Sequence, residues 1–279
     1  MTATVDERLP DPETVGRIMR EVARTAILPR FRNLAAGDIS QKRHPRDLVT
    51  IADIEAERLL EQHLSTIRPG WAFVGEEAAE ARPGILAALA GERPAWVLDP
   101  VDGTGNFAAG TACFAVIVAL CIGGVTRAGF ILDPVADALV WAVRGEGAWQ
   151  QRDGRQQRAG IVPGRSLSAM TGSLTYGATQ RLQAAMELQS RGTAPPGGRY
   201  GSVGREYIDL GTGKLDFAAY ARLKPWDHAA GVLIHQEAGG FSALRSDGSP
   251  YRPQPFIVED TLLLAPDEAT WRQLHTLLR

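Results

Sequence analysis

Cysteine is scarce: Cys113 and Cys121 are the only two in 279 residues. They stand eight residues apart in what reads as one strand, so their Cα atoms would lie roughly 26 Å apart at 3.3 Å per residue. A disulfide between them is excluded, and two buried thiols in a reducing compartment are expected. A zinc site is excluded as well, because the five histidines show no HExxH spacing and two cysteines cannot complete a set. Long hydrophobic runs are missing. The longest, Ala112 to Val125, contains two glycines and falls short of the about 20 residues a membrane helix needs. No charge of one sign dominates: the net charge is −2, which predicts no nucleic-acid footprint. The opening "MTATVDERLPDPET" has no apolar core of the secretory kind, so a cytoplasmic enzyme or binding protein is expected. There is no G-x-S-x-G elbow. "GTGKL" fails the phosphate-loop pattern, since Ile208 stands at its first glycine and Leu215 at its Ser/Thr. "GEGAW" is a fragment of a dinucleotide fingerprint, and there is no internal repeat.

What is present is ordinary globular material, 44% hydrophobic and 22% charged. The length predicts one large layered domain or two fused lobes. Asp11-Pro12 reads as the cap and first residue of a helix with Val15, Ile18, Met19, Val22 and Ala26 on one face, ending near Pro29. Thr50 opens a second, striped by Ala52, Ala56, Leu59, Leu60, His63 and Ile67. "WAFVG" (71–75) and "AWVLD" (95–99) read as strands separated by a short helix over 83–91. From Cys113 to Gln157, turns at Gly123-Gly124, Asp133-Pro134, Gly145 and Asp153-Gly154 mark an antiparallel meander. Beyond it the pattern alternates: strand 167–171, helix 178–190, the loop "GTAPPGG", helix 203–211, strand 215–221, helix 226–238, strands near 256 and 262, and helix 267–278. That alternation predicts an α/β fold, an α+β lobe over 1–155 followed by an α/β lobe over 156–279. The four arginines between Arg152 and Arg165 read as a solvated turn and connector.

In "WVLDPVDGTGNFAAG" (96–110), Pro100 has no N–H with which to continue strand pairing, so the chain is expected to turn after Asp99. Such a turn presents the Asp99 and Asp102 carboxylates and the Val101 carbonyl together, an all-oxygen set suited to a hard cation. The closely spaced amides of "GTGNF" suit a phosphate. The same residues also suit a turn with no ligand. The spacing excludes an EF-hand, because Val101 falls at its third position and Gly110 at its twelfth. In "FVGEEAAE" a strand empties into Glu76 and Glu77, which also fit the positive end of a helix. Asp227 opens a helix that stops at Gly239-Gly240, and Ala229, Ala230 and Gly231 allow close backbone approach there. Asp53 completes a capping box with Thr50, although the box prefers Glu or Gln.

In chain order, "DLVTIADIEAE" (47–57), "GEE" (75–77), "DPVDGTGNF" (99–107) and "WDHAAGVLIHQEAGG" (226–240) resemble the inositol monophosphatase family of metal-dependent phosphatases. The resemblance implies a layered α/β/α/β/α sandwich, a homodimer, two or three Mg²⁺ ions with Mn²⁺ as a substitute, and inhibition by lithium. By it, Glu76, Asp99 and the Val101 carbonyl hold one ion, Asp99, Asp102 and Asp227 a second, and Glu76 reaches a third through waters. Thr104 and Asp53 orient and deprotonate the attacking water beside Glu76. Asp102, Gly103 and Thr104 meet the substrate, and Lys42 lies near the site mouth. Two carboxylates 4 Å apart repel by about 4 kcal/mol at an effective dielectric near 20, so such a convergence requires divalent cations. These would activate water and stabilise the leaving group in an in-line displacement.

The chain departs from the family at Tyr220, seven residues before Asp227, where animal and many bacterial relatives carry a glutamate that contacts inositol. Arg222 and Lys224 follow it, and Arg205 and Glu206 are weaker candidates for the same substrate wall. Inositol 1-phosphate is the default substrate. Histidinol phosphate, a sugar phosphate or a phosphorylated nucleotide is the alternative within the same chemistry. A catalytically silent module that binds metal and a phosphorylated ligand, with no membrane or nucleic-acid partner, is the non-enzyme alternative.

Overall fold

The computed structural model describes residues 9–42, 48–188 and 198–279. Asp11 accepts the amide of Thr14 and Pro12 takes the first helical position of α1 (Pro12–Val22), which a π turn over Ala23–Ile27 closes ahead of Pro29. A hairpin absent from the sequence reading, β1 (Ile39–Gln41) and β2 (Leu48–Thr50), leads into α2 (Ile51–Ile67). Next come β3 (Ala72–Gly75), α3 (Glu76–Ala81), β4 (Ala95–Asp102) and α4 (Thr104–Ala108), with a 3₁₀ helix at Pro83–Ala90 where a short helix is expected.

The meander is β5 (Ala115–Ile122), β6 (Val125–Asp133), β7 (Ala138–Val143), β8 (Ala148–Arg152) and β9 (Arg155–Arg158). It extends β3 and β4 into a seven-stranded sheet in which β3 and β4 alone are parallel neighbours. Cys113 lies just before β5, so the two free thiols do not share a strand. The second half supplies β10 (Gly172–Ser173), α5 (Tyr176–Leu188), α6 (Val203–Gly211), β11 (Phe217–Leu223), α7 (Pro225–Glu237), β12 (Phe241–Leu244), β13 (Val258–Ala265) and α8 (Glu268–Leu277). Its four strands pair in the order β10-β11-β13-β12.

Three expectations fail locally. The strand expected at 167–171 is a 3₁₀ turn followed by β10, two residues long. The two strands expected near 256 and 262 are one strand, β13, whose hairpin partner β12 lies earlier. The helix expected at 178–190 starts two residues sooner. Its residues 189 and 190, the "GTAPPGG" loop up to 197, Asp47 of the first family motif and the first eight residues lie outside the described chain.

Strands buried on both faces need cover on both, and the helices provide it in layers. α1 and α2 set Val15, Met19, Ala56 and Leu60 against Trp96, Val118 and Phe130 on one face of the large sheet. On the other face, α6 and α7 pack Tyr207, Ala230 and Ile234 between Ile117 and Val140 of the large sheet and Leu262 and Leu264 of the small one. α5 and α8 cover the far side, with Leu182, Met186 and Leu274 on Phe217 and Leu263. The stack is α/β/α/β/α, as expected. Each fully buried Leu, Ile or Phe contributes about 1.5–3 kcal/mol. α7 is the middle of the molecule, and glycines let it in: a Cβ on Gly129 of β6 would stand 2.7 Å from the Ala230 Cα, and one on Gly231 would strike the Tyr207 ring. No described helix is long and apolar enough to cross a membrane.

Candidate active site

Glu76 and Asp99 leave the same end of the large sheet because β3 and β4 run parallel with Gly75 beside Leu98. Asp227 arrives on the first turn of α7, which packs on β4, β5 and β6. These three residues bring carboxylate oxygens within 4.8 Å of one another.

Pro100 does not end β4, contrary to expectation. Pairing with β5 lapses after Asp99↔Ile117 and resumes at Asp102↔Ala115, so β4 takes three steps where β5 takes two. This one-residue bulge absorbs the missing N–H and reverses the alternation of side chains. Leu98 and Val101 consequently share the face toward α1 and α2. Asp102, which strict alternation would place with Leu98, turns to the face toward α6. There its carboxylate accepts the amides of Val203 (3.1 Å) and Gly204 (2.7 Å) and the Ser202 hydroxyl. Asp102 is therefore held by the start of α6 and is not one of the three clustered acids.

Asp53 accepts the Thr50 amide (2.8 Å) and hydroxyl through Oδ2 in the expected capping box. Its Oδ1 lies 3.0 Å from the Thr104 hydroxyl, which is also 3.0 Å from the Val101 carbonyl. One hydroxyl thus ties the start of α2 to the loop that carries Asp99. Gly103, at φ +92, has no room for a side chain: a Cβ there would stand 2.9 Å from the Ser202 Cβ. Val101 is fully buried, and its amide donates to Asp99 Oδ1 at 3.1 Å.

Two residues the sequence reading did not assign complete the arrangement. Glu57 accepts the amides of Glu77 and Ala78, each at 2.9 Å, and so fixes the start of α3 behind Glu76. Its spacing of four from Asp53 on one helix face was the available signal. Lys224, noted only as a nearby base, places Nζ 3.2 Å from Glu76 Oε1. Lys42 reaches the same oxygen at 3.4 Å, with Glu77 at 2.7 Å and Glu80 at 3.5 Å.

The substrate-wall candidates fare differently. Tyr220 is 3% exposed, its ring 5.1 Å from that of His228 and 5.4 Å from that of Tyr207, with the Arg199 guanidinium over it. It is a core residue and does not line a mouth. Glu206 is equally enclosed, paired with Arg199 at 3.2 Å and accepting the Tyr200 amide. Arg205 is ion-paired with Asp133 and partly exposed. Arg222, at the bulge of β11, faces out toward Glu259.

The electrostatics follow from burying like charges together. Burial first, then Glu76, Asp102 and Asp227, raise the Asp99 carboxyl well above its ordinary range. Burial raises Asp227 to about 8 against the pull of Lys224. Asp102 and Asp53 rise to about 6, also through burial, despite the hydrogen bonds that oppose it. Glu76 goes the other way: burial works against its charge, but Lys224 and Lys42 hold it below the usual carboxylate range. The donors are all oxygen and crowded, with more acid charge than the two ammonium groups on Glu76 offset, which fits a hard divalent cation.

A five-layer sandwich with an acid cluster at the junction of the large sheet and a helix start suits metal-dependent hydrolysis of a phosphate monoester. This chain belongs to the inositol monophosphatase family, whose model matches residues 11–279. It is 35% identical over 217 residues to the inositol-1-monophosphatase of Mycobacterium leprae, covering 77% of this chain and 74% of that one. Among solved structures it resembles the Thermotoga maritima IMPase, with a TM-score of 0.77 and 23% identity over 95% of each chain. It also resembles the extragenic suppressor protein suhB of Bartonella henselae, with a TM-score of 0.73 and 25% identity over 96% of this chain and 97% of that one.

Proposed function

We propose that the protein hydrolyses inositol 1-phosphate or a similar small phosphate monoester with Mg²⁺, two or three ions with Mn²⁺ as a substitute, and that lithium inhibits it. The convergence of Glu76, Asp99 and Asp227 beside the Asp53–Thr104 pair carries this reading. Divalent cations at such a cluster lower the pKa of water and neutralise the charge that builds up on a phosphoryl group in flight.

The chain's own residues have separate tasks. Glu76, Asp99 and Asp227, with the Val101 carbonyl and Asp102, hold the ions. Thr104 keeps its hydroxyl between Asp53 and the Val101 carbonyl, so a water donating to Thr104 can pass its proton to Asp53. The amides of Gly103 and Thr104 receive phosphate oxygens, and Lys42 supplies positive charge at the entrance. Arg205 remains the wall candidate with solvent access. Glu206 and Tyr220 act from behind it, through packing. The enzyme works as a cytoplasmic homodimer, and the boundary between its lobes, 1–155 and 156–279, lets each contribute metal ligands.

The test is a panel of inositol 1-phosphate, histidinol phosphate, sugar phosphates and phosphorylated nucleotides, scored by kcat/KM with Mg²⁺. The highest value on inositol 1-phosphate supports the reading, and a decisive preference for histidinol phosphate replaces it with the alternative. Asp99→Asn is expected to lower kcat on the order of a thousandfold, the scale of losing one charge-stabilising group. The melting temperature of the metal-free variant is expected to hold or rise. Near-normal turnover in Asp99→Asn would remove the assignment.

A further inference from the structure

The first residue of the "KPWD" run is out of place by local rules. Lys224 occupies the cap position of α7, with φ −67 and ψ 134 and no capping hydrogen bond. Cap positions favour Ser, Thr, Asp or Asn, and a cation at the positive end of a helix is disfavoured. What offsets that is tertiary. The Lys224 ammonium lies 3.2 Å from Glu76 Oε1 and feels Asp227 and Asp99 as well. Its side chain is 26% exposed.

The same Glu76 carboxylate is one the acid cluster offers to a cation. A divalent ion bound there and an ammonium at hydrogen-bond distance from it would stand a few ångströms apart and repel. The two lysines differ in what they lose on leaving. Lys42 retains Glu77 at 2.7 Å and Glu80 at 3.5 Å. Among the described residues the one ion pair of Lys224 is with Glu76, and what else holds it is the charge of Asp227 and Asp99, which the same cation would engage, and the Trp226 ring, 5.6 Å away.

We infer that Lys224 is a tethered counter-ion of the Glu76, Asp99 and Asp227 cluster, which a divalent cation must displace from Glu76, and that this competition sets the metal affinity of the site. This rests on the metal reading of the cluster proposed above. In the metal-free protein the ammonium offsets part of the acid charge. On loading it swings away on its four-carbon stem, and its charge is free for an arriving anion.

Mn²⁺ titrated calorimetrically into the chelator-treated full chain tests this, with wild type, Lys224→Met and Lys224→Arg compared. Lys224→Met is expected to bind at least tenfold more tightly, whereas Lys224→Arg stays within about threefold of wild type. The metal-free Lys224→Met protein should melt at a lower temperature than wild type, and saturating Mn²⁺ should abolish that difference. Should Lys224→Met not fold without metal, release from the loaded protein into excess chelator replaces the titration, and it should be slower than in wild type. Equal or weaker affinity in Lys224→Met, or equal or faster release, overturns the inference while leaving the metal reading intact. Failure of wild type and variants alike to take up Mn²⁺ overturns both.

Discussion

Asp53, Glu76, Asp99, Asp102 and Asp227 carry the same functional group and titrate in different ranges because their neighbours differ. Asp102 faces three donors at the start of α6, Asp99 faces other acids, and Glu76 faces two ammonium groups. The clustered acids were legible in the sequence because Glu76 and Asp227 each stand at a helix start and Asp99 directly precedes Pro100, which interrupts β4. Their partners were not, since Lys224 reaches Glu76 across 148 positions of chain. Tyr220 shows the same gap from the other side. Its position relative to Asp227 suggested a substrate contact, yet β11 turns its ring into the middle layer. Among the described residues its buried hydroxyl finds no partner at good hydrogen-bond geometry, Glu206 being the nearest acceptor it feels. Tyr220→Phe is therefore expected to leave kcat and KM within about twofold and stability unchanged or slightly higher, since it removes an unsatisfied buried group. A fall in kcat/KM of tenfold or more, measured beside the melting temperature, would return Tyr220 to the substrate wall.

Secondary structure was legible in proportion to its length and periodicity. The long apolar runs of β4 to β7, the capped starts of α1 and α2 and the closing helix α8 follow from local pattern. β1, β2, β10 and β12, of two to four residues, are too short to show a period and exist through what they pair with. The β4 bulge is likewise a pairing property: Pro100 announces an interruption, but only β5 shows that pairing resumes one residue out of step. β6 and α7 meet backbone to backbone at Gly129 and Ala230. Gly129→Ala would drive a methyl to within 2.7 Å of the Ala230 Cα, forcing apart the helix that carries Asp227 and the sheet that carries Asp99. The expected cost is about 1–3 kcal/mol of stability, together with a higher Mg²⁺ requirement for activity, read from denaturant midpoints and a metal titration. Unchanged values in both would mean that the two elements do not need this close seat.

The whole molecule is arranged so that the large sheet and the middle helix layer bring three acids to one place, and its stability should depend on how that charge is met. Asp227 has an ordinary value of 3.8 and sits at about 8 in the fold, while Asp53 and Asp102 sit at about 6. Between those values the folded chain holds more protons than the unfolded one, so stability declines as pH rises. In chelator the melting temperature is thus expected to fall from pH 6 to pH 8, through Asp227 together with Asp99 and with Glu77, which burial raises to about 7. With saturating Mg²⁺ the decline should vanish, because the cation replaces the protons. Differential scanning calorimetry at both pH values would show it, and a metal-free protein that gains stability toward pH 8 would contradict it.

The amino-acid order by itself determined the alternation of strands and helices, the caps of α1 and α2, the apolar faces that require layered packing, and the acids at helix starts and beside Pro100. Those are properties of neighbours within a few residues, set by side-chain period and backbone hydrogen bonding. Only the tertiary structure decided that Asp102 is bound by α6, that Tyr220 lies inside, and that Lys224 meets Glu76. Strand register and the burial of charge depend on segments far apart in the chain, and no local pattern carries them.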